Sequence, residues 1–378
     1  MTSHPFLRRL DAIELVRRMG RITRILPTYL EADGPGVPRG ALCRVETTDG
    51  AAILAEVVAV QRDSVVLVPL EERAPSFVGA CVTAAPMAEY VPVGDAFLGR
   101  AVDAFGRPID GKGAIQTEEH GRLQGEPVSP LERSTPSRVL ETGVRAIDTL
   151  LTLGHGQRVG VFAAAGVGKT SLLGQLARQV KADRCVICLV GERGREVEAL
   201  WRSSLSEGDR ARSTLVAATS DQPAAQRVRA ADYALALAEQ WRREGLHVLL
   251  LLDSATRLAM ALREVGLAAG EPPTVRAYTP GVFAAIPKLV ERCGALHAGG
   301  SITALMTVLC ETDDTDDPIA EMMKSLLDGH IVLSRTLAEQ GHFPAIDAPR
   351  SISRLARGLT TPAERRDADR ALGQLSAY

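Results

Sequence analysis

RVGVFAAAGVGKTSLLGQLARQV, Arg158–Val180, decides the fold of this chain. Its opening, RVGVF, is a short β-branched apolar run of strand type, and the stretch from Lys169 to Val180 carries leucines at helical spacing. Between them lies AAAGVGKTS, Ala163–Ser171. A loop that joins a strand to the start of a helix aims successive backbone N–H groups at one point, and the helix N-terminus adds positive potential there. Ala165, Gly166, Val167, Gly168, Lys169, Thr170 and Ser171 are therefore expected to cradle the phosphates of a nucleotide, ATP. Lys169 supplies a point charge to the β- and γ-phosphates, and the Thr170 hydroxyl is a ligand for Mg²⁺. Ala163 stands where the usual pattern opens with glycine, but the strand before and the helix after restore the assignment.

Toward the C-terminus the same alternation repeats. CVICLVGE, STLVAAT, HVLLLLD and SITALMTVL are apolar runs separated by helical text, including a helix around Glu196–Ser204. Near-continuous apolar strands of this kind belong to a parallel sheet covered on both faces, so the fold class is α/β with a nucleotide-binding core. HVLLLLD delivers Asp253 to the C-terminal edge of that sheet, where ligands bind in open α/β folds. Asp253 is the candidate to hold Mg²⁺ through its water shell, the alternative being a helix cap. CLVGERGRE ends a neighbouring strand in Glu192 and Arg193. Glu192 is the candidate to orient and deprotonate a water in line with the γ-phosphate, with a structural salt bridge as its plainer reading. Arg193 and Arg257 are candidates to steady charge on the transferred phosphoryl group, or simple ion-pair partners.

Toward the N-terminus the text changes. From Gly20 to Val91, GRITRIL, ALCRVET, AAILAEVVAV, DSVVLVPL and ACVTAAP are short β runs between turn residues, the spacing of a small β-barrel. Ahead of it, Phe6 to Met19 sets Phe6, Leu10, Ile13 and Val16 at helical spacing among arginines. That helix either packs on its own protein or docks a partner or membrane face. His120–Ser137, rich in Pro, Gly and Ser, is a long surface excursion that wraps a domain or separates two.

The whole chain has 378 residues, 46% hydrophobic and 24% charged, with a net charge of -2. This is enough for about two globular domains and excludes both a small module and a disordered chain. A nearly neutral balance provides no global field for nucleic acid or an anionic membrane. No apolar run approaches the roughly 18 residues of a membrane span, and MTSHPFLRRLD is charged where a signal peptide is apolar, so a cytoplasmic protein is expected. Cys185 and Cys188 lie within a strand-like run and read as core, not as redox or metal ligands. The acidic run ETDDTDDP, Glu311–Pro318, reads as a solvated loop before it reads as a metal cluster.

GERGREVEALW, ATSDQPAAQRVRAADYALALAEQWR, LLLLDSATRLAMALREVGLAAGEPP, GSITALMTVL, DPIAEMMKSLLDGHIVLSRTLAEQGHFPAID and SISR together resemble the ATPases of type III protein export, virulence or flagellar. These are related in turn to the catalytic subunits of rotary ATP synthases. The resemblance runs from about Gly20 to Arg354 and implies an N-terminal β-barrel over 20–91, after the helix of 1–19. It implies a RecA-like P-loop core over 92–357 and a truncated start of a helical C-terminal domain over 358–378. It further implies Mg²⁺-dependent ATP hydrolysis at the interfaces of a homohexamer. Its expected partners are a stator-like regulator, a coiled-coil stalk that meets the acidic loop, and chaperones and cargo. The ring would be peripheral to the inner membrane at an export gate, with no nucleic acid bound. It supports the roles given to Lys169, Thr170, Glu192, Arg193, Asp253 and Arg257, and adds Arg354 in SISR as an arginine finger and Phe343 in HFPAID as the ring stacked on adenine. Thr279 stands where relatives commonly repeat a proline, and the missing remainder of the C-terminal domain puts cargo handling in question. Two alternatives stay open. One is a non-catalytic ring subunit, which such paralogues mark by replacing the carboxylate that this chain keeps at Glu192. The other is a Rho-type RNA translocase, against which the barrel offers few aromatics, Tyr29, Phe77 and Tyr90.

Overall fold

The structure, a computed structural model, describes residues 18–71, 75–85, 89–310 and 317–377. The helix expected over Phe6–Met19 and the acids from Glu311 to Asp316 fall outside these residues, apart from the last two positions of the helix. Met19 itself is a correction, because it opens a strand by pairing with Thr83 instead of closing a helix. The chain divides into two compact units. One holds the described residues before Glu89 together with Glu264–Glu271, and the other holds Glu89–Arg263 and the residues from Pro272 onward.

The first unit is a closed barrel of β1 (Met19–Ile25), β2 (Leu30–Ala32), β3 (Leu42–Glu46), β4 (Ala52–Val60), β5 (Val65–Pro69) and β6 (Cys81–Ala84). The strand order is β1-β2-β5-β4-β3-β6, and the pairing of β6 with β1 closes it. Closure leaves no edge strand to recruit a foreign chain. Ile22, Val45, Val57, Leu67 and Val82 fill the interior.

The second unit is built on a sheet of ten strands among the described residues. Its main path consists of β7 (Arg100–Val102), β8 (Arg158–Ala163), β9 (Arg184–Val190), β10 (Ser213–Ala218), β11 (His247–Asp253), β12 (Ser301–Leu309), β13 (Gly329–Leu333) and β14 (Ile346–Ser353). The order is β14-β13-β8-β12-β11-β9-β10-β7. All neighbours are parallel except β14, which returns antiparallel to β13. The helices that cover or border this sheet include α1 (Lys169–Gln179), the short α2 (Gly194–Glu198), α3 (Ala224–Arg243), α4 (Ala255–Ala268, in this unit up to Arg263), α5 (Pro280–Glu291), α6 (Pro318–Leu326) and α7 (Pro362–Ser376). A π-helical turn, Ala199–Ser204, continues α2 where a single helix was expected. The excursion from His120 to Ser137 belongs to the second unit, pairing His120–Arg122 with Tyr90–Pro92 and Arg133–Ser134 with Gly294–Leu296.

Strand periodicity divides the core into two layers. Leu249 and Leu251 of β11, Ile187 and Leu189 of β9, and Val159 and Val161 of β8 join Leu172, Leu173 and Leu176 of α1 in one cluster. The alternate residues Leu250, Leu252, Val186, Val190 and Met306 join the apolar side of α3 in the other. Cys185 and Cys188 fall in opposite layers, so they share no ligand, and burial pushes the Cys185 thiol up to about 11. Both are core residues, as the sequence suggested. Among the described residues no helix is long and apolar enough to cross a membrane.

Candidate active site

The same period of two places the functional side chains. Residues 249, 251 and 253 share a face, so the carboxylate that ends β11 emerges on the α1 side, beneath the phosphate loop. The loop is anchored by Val167, which is buried in that layer, while Ala165 and Gly166 stay exposed. Gly168, at φ 90°, precedes α1, in a backbone conformation that side-chain-bearing residues rarely adopt. Lys169 is the first residue of α1, followed by the half-buried Thr170 and the exposed Ser171. The N–H groups of such a first turn have no carbonyl partner within the helix, which leaves them available to an anion.

The Lys169 ammonium lies 2.5 Å from Asp253 Oδ1 and 3.4 Å from Glu192 Oε1. Asp253 is buried, and desolvation raises its proton affinity; the Lys169 charge opposes that shift and the Glu192 carboxylate adds to it. Glu192 is 3% exposed and also accepts from Arg257 Nε at 3.1 Å. Its backbone is fixed by the end of β10: the Gly191 amide donates to the Ala218 carbonyl at 2.7 Å, and the Glu192 carbonyl accepts from the Ser220 amide at 3.1 Å. Gly191 has φ 69°, and a Cβ there would sit 3.0 Å from Arg257 Cδ. The lack of a side chain at 191 lets the Arg257 stem pass to Glu192.

Phe343 stands at the rim. The residue is 60% exposed, and a Cβ on Gly168 would meet its Cδ1 and Cε1 at 3.3 Å. The chain between β13 and β14 thus carries an aromatic ring to the phosphate loop.

Two expected residues lie apart from this cluster. Arg193 opens α2 through its backbone, its carbonyl accepting from the Glu196 amide at 2.8 Å, and its side chain is exposed. Arg354 follows β14, which runs antiparallel, so that Ser353 pairs with Gly329 at the beginning of β13 while the phosphate loop leaves the far end of β8. The length of a six-residue strand, roughly 20 Å, separates those two edges of the sheet. The exposed Arg354 donates from Nη2 to the Lys324 carbonyl at 2.9 Å.

One member of the cluster escapes a reading of the sequence. Thr307 in β12 donates from Oγ1 to Asp253 Oδ1 at 2.6 Å. Its only signal is a hydroxyl within the apolar run SITALMTVL.

Thr170 and Asp253 offer hard oxygen donors beside a phosphate cradle. That set fits Mg²⁺, which keeps waters and substrate phosphates as most of its ligands. Among the described residues no group of three or more His, Cys, Asp or Glu side chains forms a protein-only metal cage.

Residues 143–353 match the ATP synthase alpha/beta family, nucleotide-binding domain. The chain belongs to this family. Within it the chain groups with the export ATPases: it is 48% identical over 367 residues to the flagellum-specific ATP synthase of Salmonella typhimurium, covering 94% of this chain and 80% of that one. It is 45% identical over 354 residues to the type 3 secretion system ATPase of Xanthomonas euvesicatoria, covering 92% of this chain and 79% of that one. The solved structure of the assembled ATPase EscN from the enteropathogenic E. coli type III secretion system is 43% identical, with a TM-score of 0.88 over 93% of this chain and 84% of that chain. A second structure, of EscN in complex with its central stalk EscO, matches with a TM-score of 0.86 at 41% identity, over 95% of this chain and 86% of that chain. The resemblance read from the motifs and the α/β fold class with its N-terminal barrel therefore hold for this member of the ATP synthase alpha/beta family.

Proposed function

We propose that this chain is an ATPase that energises or gates protein export by a type III secretion apparatus, flagellar or virulence. The observation that carries the proposal is Lys169 held between Asp253 and Glu192 at the end of a phosphate loop, in a chain whose relatives are named as export ATPases.

The nucleotide phosphates bind the amides of 165–171, and the Lys169 ammonium moves from the two carboxylates to the β- and γ-phosphates. Release of Lys169 leaves Glu192 with Arg257 as its ion-pair partner, positioned to take a proton from the attacking water. The water oxygen forms the new bond to the γ-phosphorus as the β–γ bridging bond breaks, and the proton passes to Glu192. Thr170 and Asp253 are the residues that would hold Mg²⁺, which when bound neutralises charge on the phosphate oxygens. Phe343 offers its ring to adenine, and Arg193 offers a second charge near the phosphates once its exposed side chain turns inward.

Arg354 is too far along the sheet to serve its own phosphate loop, so it is assigned as the finger for a neighbouring subunit in a homohexamer. As with EscN, a central stalk is the proposed partner within the ring. The ring operates on the cytoplasmic side, peripheral to the inner membrane, where a stator-like regulator, chaperones and cargo reach it.

The test is Mg²⁺-dependent ATP hydrolysis by the purified chain and by Lys169→Ala, combined with secretion assays in a host that lacks its own export ATPase. Hydrolysis abolished by the substitution and secretion restored by the wild-type gene alone are expected. Hydrolysis that persists in Lys169→Ala overturns the site, and hydrolysis without restored secretion overturns the export role.

A further inference from the structure

Asp253 Oδ1 accepts from two donors, one on a helix and one within the sheet. One is the Lys169 ammonium at 2.5 Å, at the end of a long side chain on the first residue of α1, which turns to the phosphates in the proposed mechanism. The other is the Thr307 hydroxyl at 2.6 Å, in the middle of the sheet and 0% exposed. Leu252 pairs with Met306, so the next residues along the two parallel strands, Asp253 and Thr307, lie level on the α1 side. A threonine hydroxyl has one proton to give. Its other acceptor, the Leu252 carbonyl, is 3.5 Å away, so the proton goes to the carboxylate. Thr303, four residues earlier on the same face, has a different environment: its Oγ1 accepts from the Gly156 amide at 2.7 Å and lies 2.9 Å from His247 Nε2.

We infer that Thr307 is a positioning residue that holds the Asp253 carboxylate in its working orientation once Lys169 has left it for the nucleotide. This rests on the assignment of Asp253 to Mg²⁺ given above. Without Thr307 the departure of Lys169 leaves a buried carboxylate with neither of the two donors that now fix Oδ1. The group then turns or recruits water, and its hold on the hydrated ion weakens. With Thr307 in place, one oxygen stays pinned by the rigid sheet throughout the cycle. The hydroxyl donates to Asp253 Oδ1 and its role runs through that carboxylate.

The experiment titrates Mg²⁺ against the binding of a fluorescent ADP analogue to wild type, Thr307→Val, Thr307→Ser and Asp253→Asn, with thermal melting as the check on folding. Removing a hydrogen bond to a charged group is expected to raise the Mg²⁺ concentration for half-maximal tightening about 10-fold in Thr307→Val, with metal-free nucleotide affinity unchanged. Thr307→Ser, which keeps the hydroxyl, restores the wild-type value. If Thr307→Val melts early, Thr307→Ala supplies the hydroxyl-free comparison. A Thr307→Val protein with the wild-type Mg²⁺ dependence, beside an Asp253→Asn protein that has lost it, overturns the role of Thr307 alone. An Asp253→Asn protein that keeps the dependence overturns the reading of the site and this inference with it.

Discussion

Arg257 and Glu192 form an ion pair, Nε to Oε1 at 3.1 Å, past a residue with no side chain, Gly191. The carboxylate is buried and the guanidinium only about two-thirds so, which makes the pair a support for Glu192 more than a source of stability. The arrangement holds one carboxylate oxygen of Glu192 in place, which suits the general-base role proposed for it.

Glu192→Gln preserves the shape and the hydrogen-bonding oxygen but accepts no proton. Its ATP turnover should fall by roughly 10²- to 10⁴-fold, the usual contribution of a positioned base. Binding of a fluorescent ATP analogue should stay near the wild-type level. Turnover at the wild-type rate by a variant that still binds nucleotide would remove Glu192 from the mechanism.

Gly191→Ala tests the close approach itself. A side chain at φ 69° costs about 1 kcal/mol or more in backbone strain, and the added Cβ at 3.0 Å from Arg257 Cδ forces that side chain aside. The variant should melt a few degrees lower and lose turnover more than nucleotide affinity. Equal melting temperature and equal turnover would show that the passage at 191 is not needed.

Phe343 has little to do for the fold, because the residue is 60% exposed. Phe343→Ala should therefore leave the melting temperature close to wild type while raising KM for ATP about 10-fold, the scale of one base–aromatic stack. Phe343→Tyr should retain the low KM. An unchanged KM in the alanine variant would show that adenine rests elsewhere.

Much of this site is legible in the sequence because each element announces its own end. The apolar run HVLLLLD stops at Asp253, and CLVGE stops at Glu192, so strand length alone places both carboxylates at the sheet edge. The direction of the next residues is not legible. After Glu192 the chain turns into α2, which leaves Arg193 outward and gives the ion pair to Arg257, in the first turn of a different helix. Thr307 needs the β11–β12 register, which one sequence does not display. The short strand β2 and the edge strand β7, of three residues each, are below the length at which alternation can be read. In β14, Asp347, Pro349 and Arg350 obscure the period, and with it the antiparallel return that carries Arg354 to the other edge.

The far side of the same layer makes a prediction about pH. His247 opens β11, stacks on His155 with ring centroids 3.9 Å apart, and has Nε2 at 2.9 Å from Thr303 Oγ1. Burial pushes its pKa down to about 4, with the neighbouring His155 lowering it further and Asp183 opposing. The folded state therefore refuses a proton that the unfolded chain accepts below about 6.5. Stability from this group is fully present above about pH 6.5 and is lost as pH falls toward 4, in total by about 3 kcal/mol. Urea unfolding should show the wild type losing stability between pH 7 and 5, and His247→Gln losing markedly less. Equal losses in the two proteins would assign the acid sensitivity to other groups.

Arg354 makes the strongest demand on assembly. Its strand ends at the opposite edge of the sheet from Lys169, so no side-chain rotation brings its guanidinium to the phosphates of its own subunit. If it is a finger, it serves a neighbour, and fingers contribute about 10³- to 10⁵-fold in rate. Specific ATPase activity should then rise with protein concentration as subunits associate. Arg354→Ala should bind nucleotide normally but hydrolyse it poorly. Mixing the variant with wild type should depress activity more than dilution with an inert protein, because each variant subunit disables a site on its neighbour. A constant specific activity across dilution, with a monomer in solution, excludes the arrangement. A mixture whose activity follows the wild-type fraction alone excludes it as well, since inactive subunits would then be silent passengers.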